Sequence, residues 1–574
     1  MITEMQRLYE KATYDPHKAR FMVQHKEGKW QPISWKTFFH HATQIACYLH
    51  QELNIGKNYK ISVFAKNCVE WSYFNAAIHA VHAVLVPIYL SNTYEQVQYI
   101  VHHSDSEVLI TESERLPVLL KIWKDLGPIK KIIMIDEVSP DQLLDELEKL
   151  PNHELSLAEL TSQIISLREV YEKGNEIWKN HPTYLQKFIE DSSPDEVSVI
   201  LYTSGTTGEP KGVVLTHDHL TTNSEDWIAV LGNLIPETKI DLLWLPMSHI
   251  FGWGELGLGN ALEFTTYLTT HLDVLNHLQK VKPTIFMSVP AYWEKLYLEA
   301  KRSSPLKAQQ LSRLHELTGG RLKFCLSGGA GLKKEAKEFF YAAGLFIIEG
   351  YGLTECSPTL TMNRKDDFDF ESVGKPFPRV QLKLAQDGEI LAKGANVFKE
   401  YYKNPQATSV SFDQEGWFKT GDLGIWTEQG FLKITGRKKE IIVTSGGKNI
   451  SPILIESLFK DDPYIEHIVL YGSEHKYLTA LVTLKETAVI RYAKETKILY
   501  RNYSELVTNQ TIRTLVQKKI EEVNHSLASF ETIKSFFIHD GHLTVEGGFL
   551  TPSLKLRRSK VWEVFKGQLE TLYF

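Results

Sequence analysis

Short apolar runs alternate with amphipathic segments over most of the chain, up to about residue 435. Examples of the apolar runs are residues 59–66, 107–113, 129–136 and 284–289. Strands that alternate with helical segments are typical of parallel sheets joined by crossover helices. The pattern therefore predicts an α/β protein whose larger part is built of parallel-rich sheets layered with helices.

Two stretches interrupt this alternation. Residues 137–190 are charged and rich in Leu, Glu and Lys, which predicts surface helices inserted ahead of the next apolar strand. From about residue 380 the chain changes to short β-like pieces with a turn at Asp387-Gly388. This second stretch predicts a β-rich subdomain.

The last part of the chain predicts a second domain. A basic stretch that contains glycines, residues 436–449, is followed by a smaller region of α+β character that ends at Phe574. We place the junction near Lys439. The division is then a large N-terminal domain over residues 1–438 and a small C-terminal α+β domain over residues 439–574.

Composition narrows the class of protein. A chain of 574 residues exceeds one ordinary core, which agrees with two or more domains. The net charge of -6 at pH 7 argues against nucleic acid as a main partner. No short cluster of Cys and His has the spacing of metal ligands. The scattered cysteines fit a reducing compartment rather than a disulfide framework; they are Cys47, Cys68, Cys325 and Cys356.

The sequence gives no sign of export or of a membrane span. Its first residues, MITEMQRLYEKATYD, lack the basic and then apolar order of a signal peptide. The most apolar stretch, residues 75–90, contains two His and a Pro and is shorter than a membrane-spanning helix. We therefore expect a cytoplasmic protein. Peripheral contact with the inner face of the membrane and a homodimer remain open.

The most informative stretch is residues 202–217, YTSGTTGEPKGVVLTH. Its hydroxyls can donate to an anion, its glycines let backbone N–H groups approach closely, and its lysine adds a positive charge. The residues concerned are Thr203, Ser204, Gly205, Thr206, Thr207, Gly208, Lys211 and Gly212. The stretch predicts a polyphosphate-binding loop.

The surroundings of this loop separate it from two alternatives. The flanking runs, residues 196–202 and 213–216, are apolar and β-like, which favours a phosphate loop between two strands over an ordinary solvated loop. The P-loop of kinases and GTPases requires Gly-Lys followed by Ser or Thr. Here Glu209 and Pro210 stand before Lys211, so the loop is of a different kind.

The same string resembles the signature of the adenylate-forming superfamily, which comprises acyl-CoA synthetases, nonribosomal adenylation domains and luciferases. Further stretches resemble that family in its own order, so the resemblance extends over nearly the whole chain. They are FCLSGGAGL (324–332), IIEGYGLTECSP (347–358), GWFKTGDLG (416–424), ITGRKKEIIVTSGGKNISP (434–452) and LTPSLKLRRSKV (550–561).

The resemblance implies that ATP is the nucleotide and that these motifs surround it. Singly, each motif has an ordinary alternative, such as a turn, a core aromatic residue or an acid in the first turn of a helix. Together they favour a nucleotide site. The residues expected to contact ATP or AMP are Thr203, Ser204, Gly205, Thr206, Thr207, Gly208, Lys211, Gly328, Gly329, Ala330, Gly350, Tyr351, Gly352, Thr354, Asp422 and Arg437.

Four of these residues, and Glu355 beside them, have chemistry that fits one part of a magnesium–nucleotide complex. Glu355 is a hard carboxylate suited to Mg²⁺, and Thr203 is expected to be the second metal ligand. Asp422 lies between glycines and can accept both hydroxyls of a ribose. Tyr351 can stack a flat face on the base, and Arg437 is a planar donor for ribose and phosphate oxygens.

The resemblance also assigns roles in the small domain, which it implies is mobile. Lys439 corresponds to the hinge, and Gly446 and Gly447 would let the thiol arm of CoA pass close to the backbone. Lys555 corresponds to the catalytic lysine, in the form Ser553-Leu554-Lys555 that we associate with long-chain fatty acyl-CoA synthetases. The alternative for Lys555 is a basic surface strip with its neighbours Arg557, Arg558 and Lys560.

A finer resemblance points to fatty acids as substrates. Residues 282–297, 388–405 and 526–538 resemble long-chain acyl-CoA synthetases, and residues 245–257 resemble the stretch that borders the carboxylate. His249 is expected near the reacting carboxyl, and Trp253 at the mouth of the acyl pocket. The pair Gly252-Trp253 departs from the commonest long-chain pattern, and a core aromatic residue is an equal alternative for Trp253.

The implied function is a ligase reaction in two steps. ATP would activate a long-chain fatty acid to acyl-AMP with release of pyrophosphate, and the acyl group would pass to the thiol of CoA. Mg²⁺ would assist, and the catalytic residues would be Lys555, Lys211, Glu355 and His249. Alternatives are an acyl carrier protein as acceptor, a medium-chain, aryl or amino acid as substrate, and an inactive nucleotide- or lipid-binding regulator.

Overall fold

The computed structural model describes residues 3–24, 28–150, 155–203, 209–545, 547–551 and 555–573. Contacts within the chain divide it into two units. The first contains residues 1–382 and 392–418, and the second contains residues 383–391 and 419–574. Residues 419–438 thus belong to the second unit by their contacts, ahead of the junction predicted at Lys439. A contact boundary and a hinge need not coincide, so the predicted hinge stays a prediction.

The helices fall into the two units in chain order. Those of the first unit are α1 (Glu4–Tyr14), α2 (Trp35–Gln51), α3 (Val69–Ala80), α4 (Tyr94–His103), α5 (Leu116–Ile122), α6 (Pro140–Glu148), α7 (Leu157–Gln163), α8 (Leu167–Asn180), α9 (Tyr184–Asp191), α10 (His217–Leu231), α11 (Ile250–Leu262), α12 (Val274–Val281), α13 (Pro290–Arg302), α14 (Lys307–Leu317), α15 (Lys334–Ala342) and α16 (Pro405–Ser411). Those of the second unit are α17 (Pro452–Ser457), α18 (Glu486–Glu495), α19 (Tyr503–Thr508), α20 (Gln510–Asn524) and α21 (Arg558–Glu570).

The strands are numbered in the same way. They are β1 (Ala19–Gln24), β2 (Trp30–Ser34), β3 (Lys60–Phe64), β4 (Val84–Pro87), β5 (Ser106–Thr111), β6 (Lys131–Met134), β7 (Ile164–Ser166), β8 (Val197–Thr203), β9 (Lys211–Thr216), β10 (Ile240–Leu243), β11 (Thr265–Leu268), β12 (Ile285–Ser288), β13 (Phe324–Ser327), β14 (Ile347–Gly352), β15 (Thr359–Met362), β16 (Lys375–Pro376), β17 (Val380–Leu384), β18 (Glu389–Gly394), β19 (Phe418–Trp426), β20 (Leu432–Arg437), β21 (Ile442–Val443), β22 (Asn449–Ile450), β23 (Ile465–Tyr471), β24 (Leu478–Leu484) and β25 (Ile533–Ile538).

Two large sheets form the framework of the first unit. One has the strand order β7-β6-β5-β3-β4-β8-β9, and the other has the order β16-β15-β14-β13-β12-β10-β11-β1-β2. Neighbours in the middle of both sheets run parallel, as β3 does beside β4 and β5, and as β13 does beside β12 and β14. The four apolar runs quoted for the sequence pattern are the strands β3, β5, β6 and β12. The predicted α/β class with parallel-rich sheets is confirmed.

The charged segment 137–190 is built into the first unit more firmly than its sequence predicts. It forms the predicted helices α6 to α8 and most of α9, but also the strand β7, which pairs parallel with β6 at the edge of a sheet. Helix α8 packs on α2 so closely that a Cβ at Gly174 would lie 1.9 Å from the carbonyl oxygen of Gln44. The strand was not predicted, because three residues among charged helices carry too little periodicity.

The predicted β-rich subdomain is an antiparallel sheet with the order β17-β18-β19-β20. The boundary between the units runs through β17 and β18. In the second unit, β23, β24 and β25 form a further sheet that shares an apolar core with α18, α19 and α20. The second unit therefore has the α+β character that the sequence predicts. None of the helices in the described ranges is both long enough and apolar enough to cross a membrane.

Candidate active site

The glycine-rich loop connects two antiparallel strands. β8 pairs with β9, and Thr203 at the end of β8 lies opposite Lys211 at the start of β9. This hairpin connection differs from the strand-to-helix turn of a P-loop, as the sequence predicts. The loop residues Ser204, Gly205, Thr206, Thr207 and Gly208 lie outside the described part of the chain.

Tyr401 connects the end of this loop with the predicted metal ligand. The hydroxyl of Tyr401 donates to Oε1 of Glu355 at 2.9 Å, and the ammonium of Lys211 lies 5.0 Å from the centre of the Tyr401 ring. At this distance the cation is attracted by the face of the ring. Lys211 and Glu355, which are 144 residues apart, are thereby brought to one tyrosine.

Backbone hydrogen bonds hold this arrangement in place. The N–H of Tyr402 donates to the carbonyl of Gly212 at 2.7 Å, so the chain around Tyr401 runs beside β9. The N–H of Phe398 donates to the carbonyl of Glu355 at 2.8 Å. One short segment is therefore tied to both the loop and the acidic residue.

The hydroxyl of Tyr401 is well suited to be a permanent donor. Burial, and next the Glu355 carboxylate, raise the pKa of Tyr401, so the phenol stays protonated at neutral pH. Burial and Glu355 likewise raise the pKa of Tyr89, whose ring lies 5.9 Å from that of His249. Tyr89 is thus a ring neighbour of His249 whose hydroxyl also stays protonated at neutral pH.

Neither Tyr401 nor Tyr89 stands out in the sequence pattern. Tyr401 lies in residues 388–405, which as a stretch resemble long-chain acyl-CoA synthetases, and Tyr89 lies in the apolar stretch 75–90. A tyrosine has an apolar body and a polar tip, so a pattern of apolar residues does not separate it from a core aromatic residue. The role of each tyrosine follows only from the residue that it contacts, Glu355 for Tyr401 and His249 for Tyr89, which lies far away in the chain.

The stretch Gly350-Tyr351-Gly352 forms the end of β14, where it pairs with β15. A Cβ at Gly352 would lie 1.7 Å from the carbonyl oxygen of Pro358, and a Cβ at Gly350 would lie 2.9 Å from that of Thr361. Both glycines are therefore required by close approach of the neighbouring backbone. Between them, Tyr351 is half-buried. Thr354, which follows, is buried.

The loop after β13 lies at the same edge of the sheet as the end of β14, because the two strands are parallel. Gly329 has a φ of 88°, a left-handed conformation that favours glycine. Gly329 and Ala330 are exposed. A Cβ at Gly328 would lie 3.0 Å from the ring of Phe251. The residues predicted to border the adenine thus have little or no side chain at a sheet edge.

Glu349 fixes this loop to β14. Its carboxylate accepts the N–H of Leu332 at 2.7 Å and pairs with the ammonium of Lys337, and both charged side chains are buried. A buried carboxylate is stable only when it is paired and hydrogen-bonded in this way. Glu349 directly precedes the glycine-tyrosine motif, yet its partners lie 12 and 17 residues earlier, so the sequence did not reveal it.

His249 caps the first turn of α11. Its Nδ1 accepts the N–H of Phe251 at 3.1 Å, which leaves the proton of a neutral ring on Nε2. A Cβ at Gly252 would lie 2.4 Å from the carbonyl oxygen of Pro246. Gly252 is therefore required by the close approach of the backbone at Pro246.

Trp253 lies in the core of the first unit. It is 4% exposed, and its indole N–H donates to Oδ1 of Asn75 at 3.0 Å. This position matches the interpretation of Trp253 as a packed core residue. Its expected role at the mouth of the acyl pocket stays a prediction.

In the second unit, the predicted ribose ligands are neighbours. Asp422 lies opposite Arg437 in the β19–β20 pair, and Nε of Arg437 is 2.9 Å from Oδ1 of Asp422. Asp422 is buried and Arg437 is half exposed. The aspartate therefore already has a charged partner on one oxygen.

Lys555 belongs to the same neighbourhood. Burial, followed by repulsion from the Arg437 guanidinium, lowers the pKa of the Lys555 ammonium from 10.5 to about 8, although Asp422 and Glu440 oppose this shift. The backbone N–H of Lys555 donates to Oγ1 of Thr551 at 3.0 Å. Residues 552–554 lie outside the described ranges.

The alternative of a basic surface strip does not describe Arg558. Arg558 is 5% exposed and forms ion pairs with Glu456 and Glu440. A buried, paired arginine is a structural element of the second unit. The catalytic role of Lys555 stays a prediction.

The other predicted residues of the second unit are exposed. Lys439 lies in a short 3₁₀ turn, Lys438–Glu440. Gly446 and Gly447 form the turn between β21 and β22, and Gly447 has a φ of 71°. Their exposure is compatible with a hinge and with a passage for an extended ligand, and both roles stay predictions.

The donor set fits a magnesium ion that arrives with its substrate. Within the part of the chain that the structure describes, no group of three or more His, Cys, Asp or Glu side chains could hold a metal ion by itself. Glu355 offers one half-buried carboxylate. Mg²⁺ commonly binds through one or two carboxylates, with water and substrate phosphates completing its shell.

Two family models match the chain. Residues 8–402 match the model described as AMP-binding enzyme, and residues 439–574 match the model described as AMP-binding enzyme C-terminal domain. The second match begins at the residue predicted as the hinge.

Similar proteins of known name include ligases for fatty acids. A long-chain-fatty-acid–CoA ligase of Mycobacterium bovis is 30% identical over 554 residues, which cover 90% of this chain and 88% of that protein. Long-chain-fatty-acid–CoA ligase 5 of Rattus norvegicus is 28% identical over 598 residues, which cover 95% of this chain and 84% of that protein.

Solved structures share the fold. The A domain of a carboxylic acid reductase from Segniliparus rugosus, in complex with AMP and a co-purified carboxylic acid, matches with a TM-score of 0.79 at 20% identity, covering 100% of this chain and 94% of that one. The o-succinylbenzoate CoA synthetase of Bacillus subtilis, in complex with its acyl-adenylate, has a TM-score of 0.70 at 20% identity and covers 97% of both chains.

We expect Tyr401→Phe to weaken binding of magnesium-ATP by about tenfold. Outer partners that orient a metal-binding carboxylate typically contribute 10- to 100-fold to metal affinity, and this variant removes the hydroxyl that orients Glu355. Titration calorimetry with magnesium-ATP measures the effect. The matched control is Tyr402→Phe, which removes a hydroxyl that donates to exposed Asp105 at 3.0 Å. Equal affinities of Tyr401→Phe and the unmodified protein would contradict the role of Tyr401.

Proposed function

The chain belongs to the AMP-binding enzyme family, and from that premise we propose that it is a long-chain fatty acid–CoA ligase. In the proposed reaction, ATP converts a fatty acid to acyl-AMP and pyrophosphate, and the acyl group then passes to the thiol of CoA. The observation that carries the proposal is the meeting of Lys211 and Glu355 at Tyr401, next to the glycine-rich hairpin. The names of the relatives support the choice of acid and thiol.

The first half-reaction has to bring a carboxylate against a triphosphate, two anions that repel each other. Lys211 and the N–H groups of the loop are proposed to bind the departing pyrophosphate. A magnesium ion bound with the nucleotide would be held by Glu355 and Thr203 and would neutralise phosphate oxygens. Lys555 is proposed to bridge carboxylate and phosphate oxygens as charge develops on them, which is the stage at which such donors lower a barrier most.

The remaining residues position the substrates. We propose that Asp422 and Arg437 bind the ribose, that Gly328, Gly329 and Ala330 border the adenine, and that Tyr351 stacks on it. A bare sheet edge supports this, because a flat base needs backbone without side chains beneath it. His249 is proposed to lie beside the fatty carboxylate.

In the second half-reaction a thiol has to approach the acyl-adenylate in place of Lys555. A thiol displaces AMP, and Lys555 would obstruct its path. We propose that the chain reorients at Lys439, so that Lys555 leaves and the turn with Gly446 and Gly447 guides the thiol arm. Such gating allows one site to carry out two chemical steps.

The proposed function is tested with a mixed pool of candidate acids and with each candidate acceptor in a separate reaction. The purified protein is incubated with ATP, Mg²⁺ and a mixed pool of carboxylic acids, with CoA in one reaction and an acyl carrier protein in another. Mass spectrometry of the products is expected to show long-chain acyl-CoA. Acyl groups on the carrier protein alone, or products from aryl or medium-chain acids only, would replace the proposed acceptor or acid. No turnover with any acid would contradict the proposed enzyme activity.

Lys555→Ala is expected to slow ATP–pyrophosphate exchange by about 10²- to 10³-fold, because it removes a donor used only as charge develops. Formation of the thioester from pre-made acyl-AMP is expected to change by less than about threefold, since that step no longer needs the lysine. Lys560→Ala is the control, because Lys560 is an exposed lysine nearby that pairs with Glu563. Equal losses in both half-reactions would contradict this division of roles.

The first half-reaction is expected to slow as the pH rises through about 8. The pKa of Lys555 is lowered to about 8, so the ammonium is charged below that pH and neutral above it. The measurement is kcat/KM for ATP in ATP–pyrophosphate exchange between about pH 6.5 and 9.5, because this quantity reports the pKa of the free enzyme. In Lys555→Arg the side chain stays charged over this range, so its slower rate is expected to lack the decline. A decline that is unchanged in Lys555→Arg would assign it to another group.

Lys439→Pro is expected to spare adenylation and to impair thioester formation by at least about tenfold. Proline fixes φ near -65° and so restricts the rotation proposed at this residue. Separate assays of the two half-reactions measure the effect, with Lys439→Ala as the control for loss of the side chain. A similar fall of both half-reactions in the proline variant would rule out Lys439 as the hinge.

A further inference from the structure

The exposed turn with Gly446 and Gly447 is held by a neighbouring loop. We call residues 444–448 the thiol loop and residues 472–477 the support loop. The N–H of Ser445 donates to the carbonyl of His475 at 2.9 Å, and the N–H of Glu474 donates to the carbonyl of Val443 at 2.8 Å. These two hydrogen bonds fix the base of the thiol loop.

The tip of the thiol loop has little to hold it. A Cβ at Gly447 would meet no atom within 4 Å, and a Cβ at Gly446 would meet only Oγ1 of Thr444, at 3.9 Å. Within the loop, the N–H of Gly447 donates to the carbonyl of Thr444 at 2.8 Å, the N–H of Thr444 to the carbonyl of Lys448 at 3.0 Å, and the N–H of Lys448 to Oγ1 of Thr444 at 3.2 Å. These internal bonds set the shape of the loop, and the two bonds to the support loop set its position.

The support loop has a conformation that requires external support. Glu474 has a φ of 69°, a left-handed conformation that is unfavourable for a residue with a Cβ. This conformation directs the Glu474 N–H to Val443. A strained backbone of this kind persists only when its surroundings hold it.

The C-terminal end of the chain provides that support. The ring of Tyr573 stacks on the ring of His475 with a centroid distance of 3.7 Å and an interplanar angle of 9°. Nε2 of His475 lies 3.2 Å from Oε2 of Glu570 on α21. The support loop is thus clamped from outside by a stacked ring and a carboxylate.

The hydroxyl of Tyr573 also anchors both ends of the support loop. It lies 3.2 Å from the carbonyl of Tyr471, which precedes the loop, and 3.2 Å from that of Tyr477, its last residue. Thr479 donates to the same hydroxyl at 3.1 Å, and the hydroxyl of Tyr471 donates to Glu570. One C-terminal side chain therefore contacts the support loop at its start, its middle and its end.

We propose that Tyr573, together with Glu570, is a positioning residue for the thioester step, acting through His475 on the thiol loop. The proposal rests on the proposed function, because that function assigns the thiol arm to Gly446 and Gly447. It adds a set of residues that the reaction needs only in its second half. The C-terminal end of the chain thereby sets the affinity for the thiol substrate and leaves adenylation unchanged.

A structural measurement tests the contact without any assumption about the reaction. Hydrogen–deuterium exchange of the backbone N–H groups of residues 443–447 is compared in the unmodified protein and in Tyr573→Ala. Loss of a stacked ring pair worth roughly 0.5–1.5 kcal/mol is expected to speed exchange at Ser445 by about two- to tenfold. Val564→Ala, at an exposed position on α21, is the control. Unchanged exchange in Tyr573→Ala would overturn the proposal.

A kinetic measurement tests the consequence. In Tyr573→Ala the KM for CoA is expected to rise about two- to tenfold, while ATP–pyrophosphate exchange stays within about twofold of the unmodified protein. Tyr573→Phe keeps the stacked ring and is expected to restore most of the affinity for CoA. If ATP–pyrophosphate exchange and thioester formation both slow in Tyr573→Ala, the role of Tyr573 is merely structural and the proposal is overturned.

The two proposals fail in different ways. If the unmodified protein forms no thioester with CoA or with a carrier protein, the proposed function fails, and the role of Tyr573 in that step fails with it. If the unmodified protein forms thioester and Tyr573→Ala does so with the same KM, only the positioning role is overturned.

Discussion

The hydrogen bond from Tyr401 to Glu355 is the interaction on which the rest of the first unit's site depends. A carboxylate that is to bind a metal must have a fixed direction, and a lysine that is to bind phosphate must not neutralise that carboxylate. A protonated phenol between them meets both requirements, because it donates to the acid and presents its ring face to the cation. Burial raises the pKa of Tyr401, so this donor persists at neutral pH.

The site in the first unit also depends on the close approach of neighbouring backbone segments. β14 ends in two glycines that lie against β15, and the loop after β13 is fastened to β14 by the buried carboxylate of Glu349. These contacts build a flat edge from backbone alone. In the second unit, Asp422 and Arg437 provide charged groups on paired strands, and Lys555 lies in their electric field.

The sequence predicts those features that are local. Apolar runs predict the central strands, and glycines with hydroxyls predict the loop between β8 and β9. The sequence does not predict contacts between residues that are far apart, such as Tyr401 with Glu355 or Tyr573 with His475, because neither member of such a pair has a distinctive pattern around it. The buried ion pairs of Arg558 are a related case: a run of basic residues has the same composition whether its arginines are exposed or paired. The short strand β7 was missed because it is too short to show periodicity.

The bare end of β14 also limits how this protein could change. Since neither Gly350 nor Gly352 has room for a Cβ, Tyr351 is the one position of this triplet whose side chain can vary without moving the adjacent strand. If β14 borders the base as proposed, drift in the shape or polarity of the surface that this triplet presents would be confined to Tyr351. A directed-evolution library aimed at altered nucleotide preference would therefore begin with Tyr351 and keep both flanking glycines fixed.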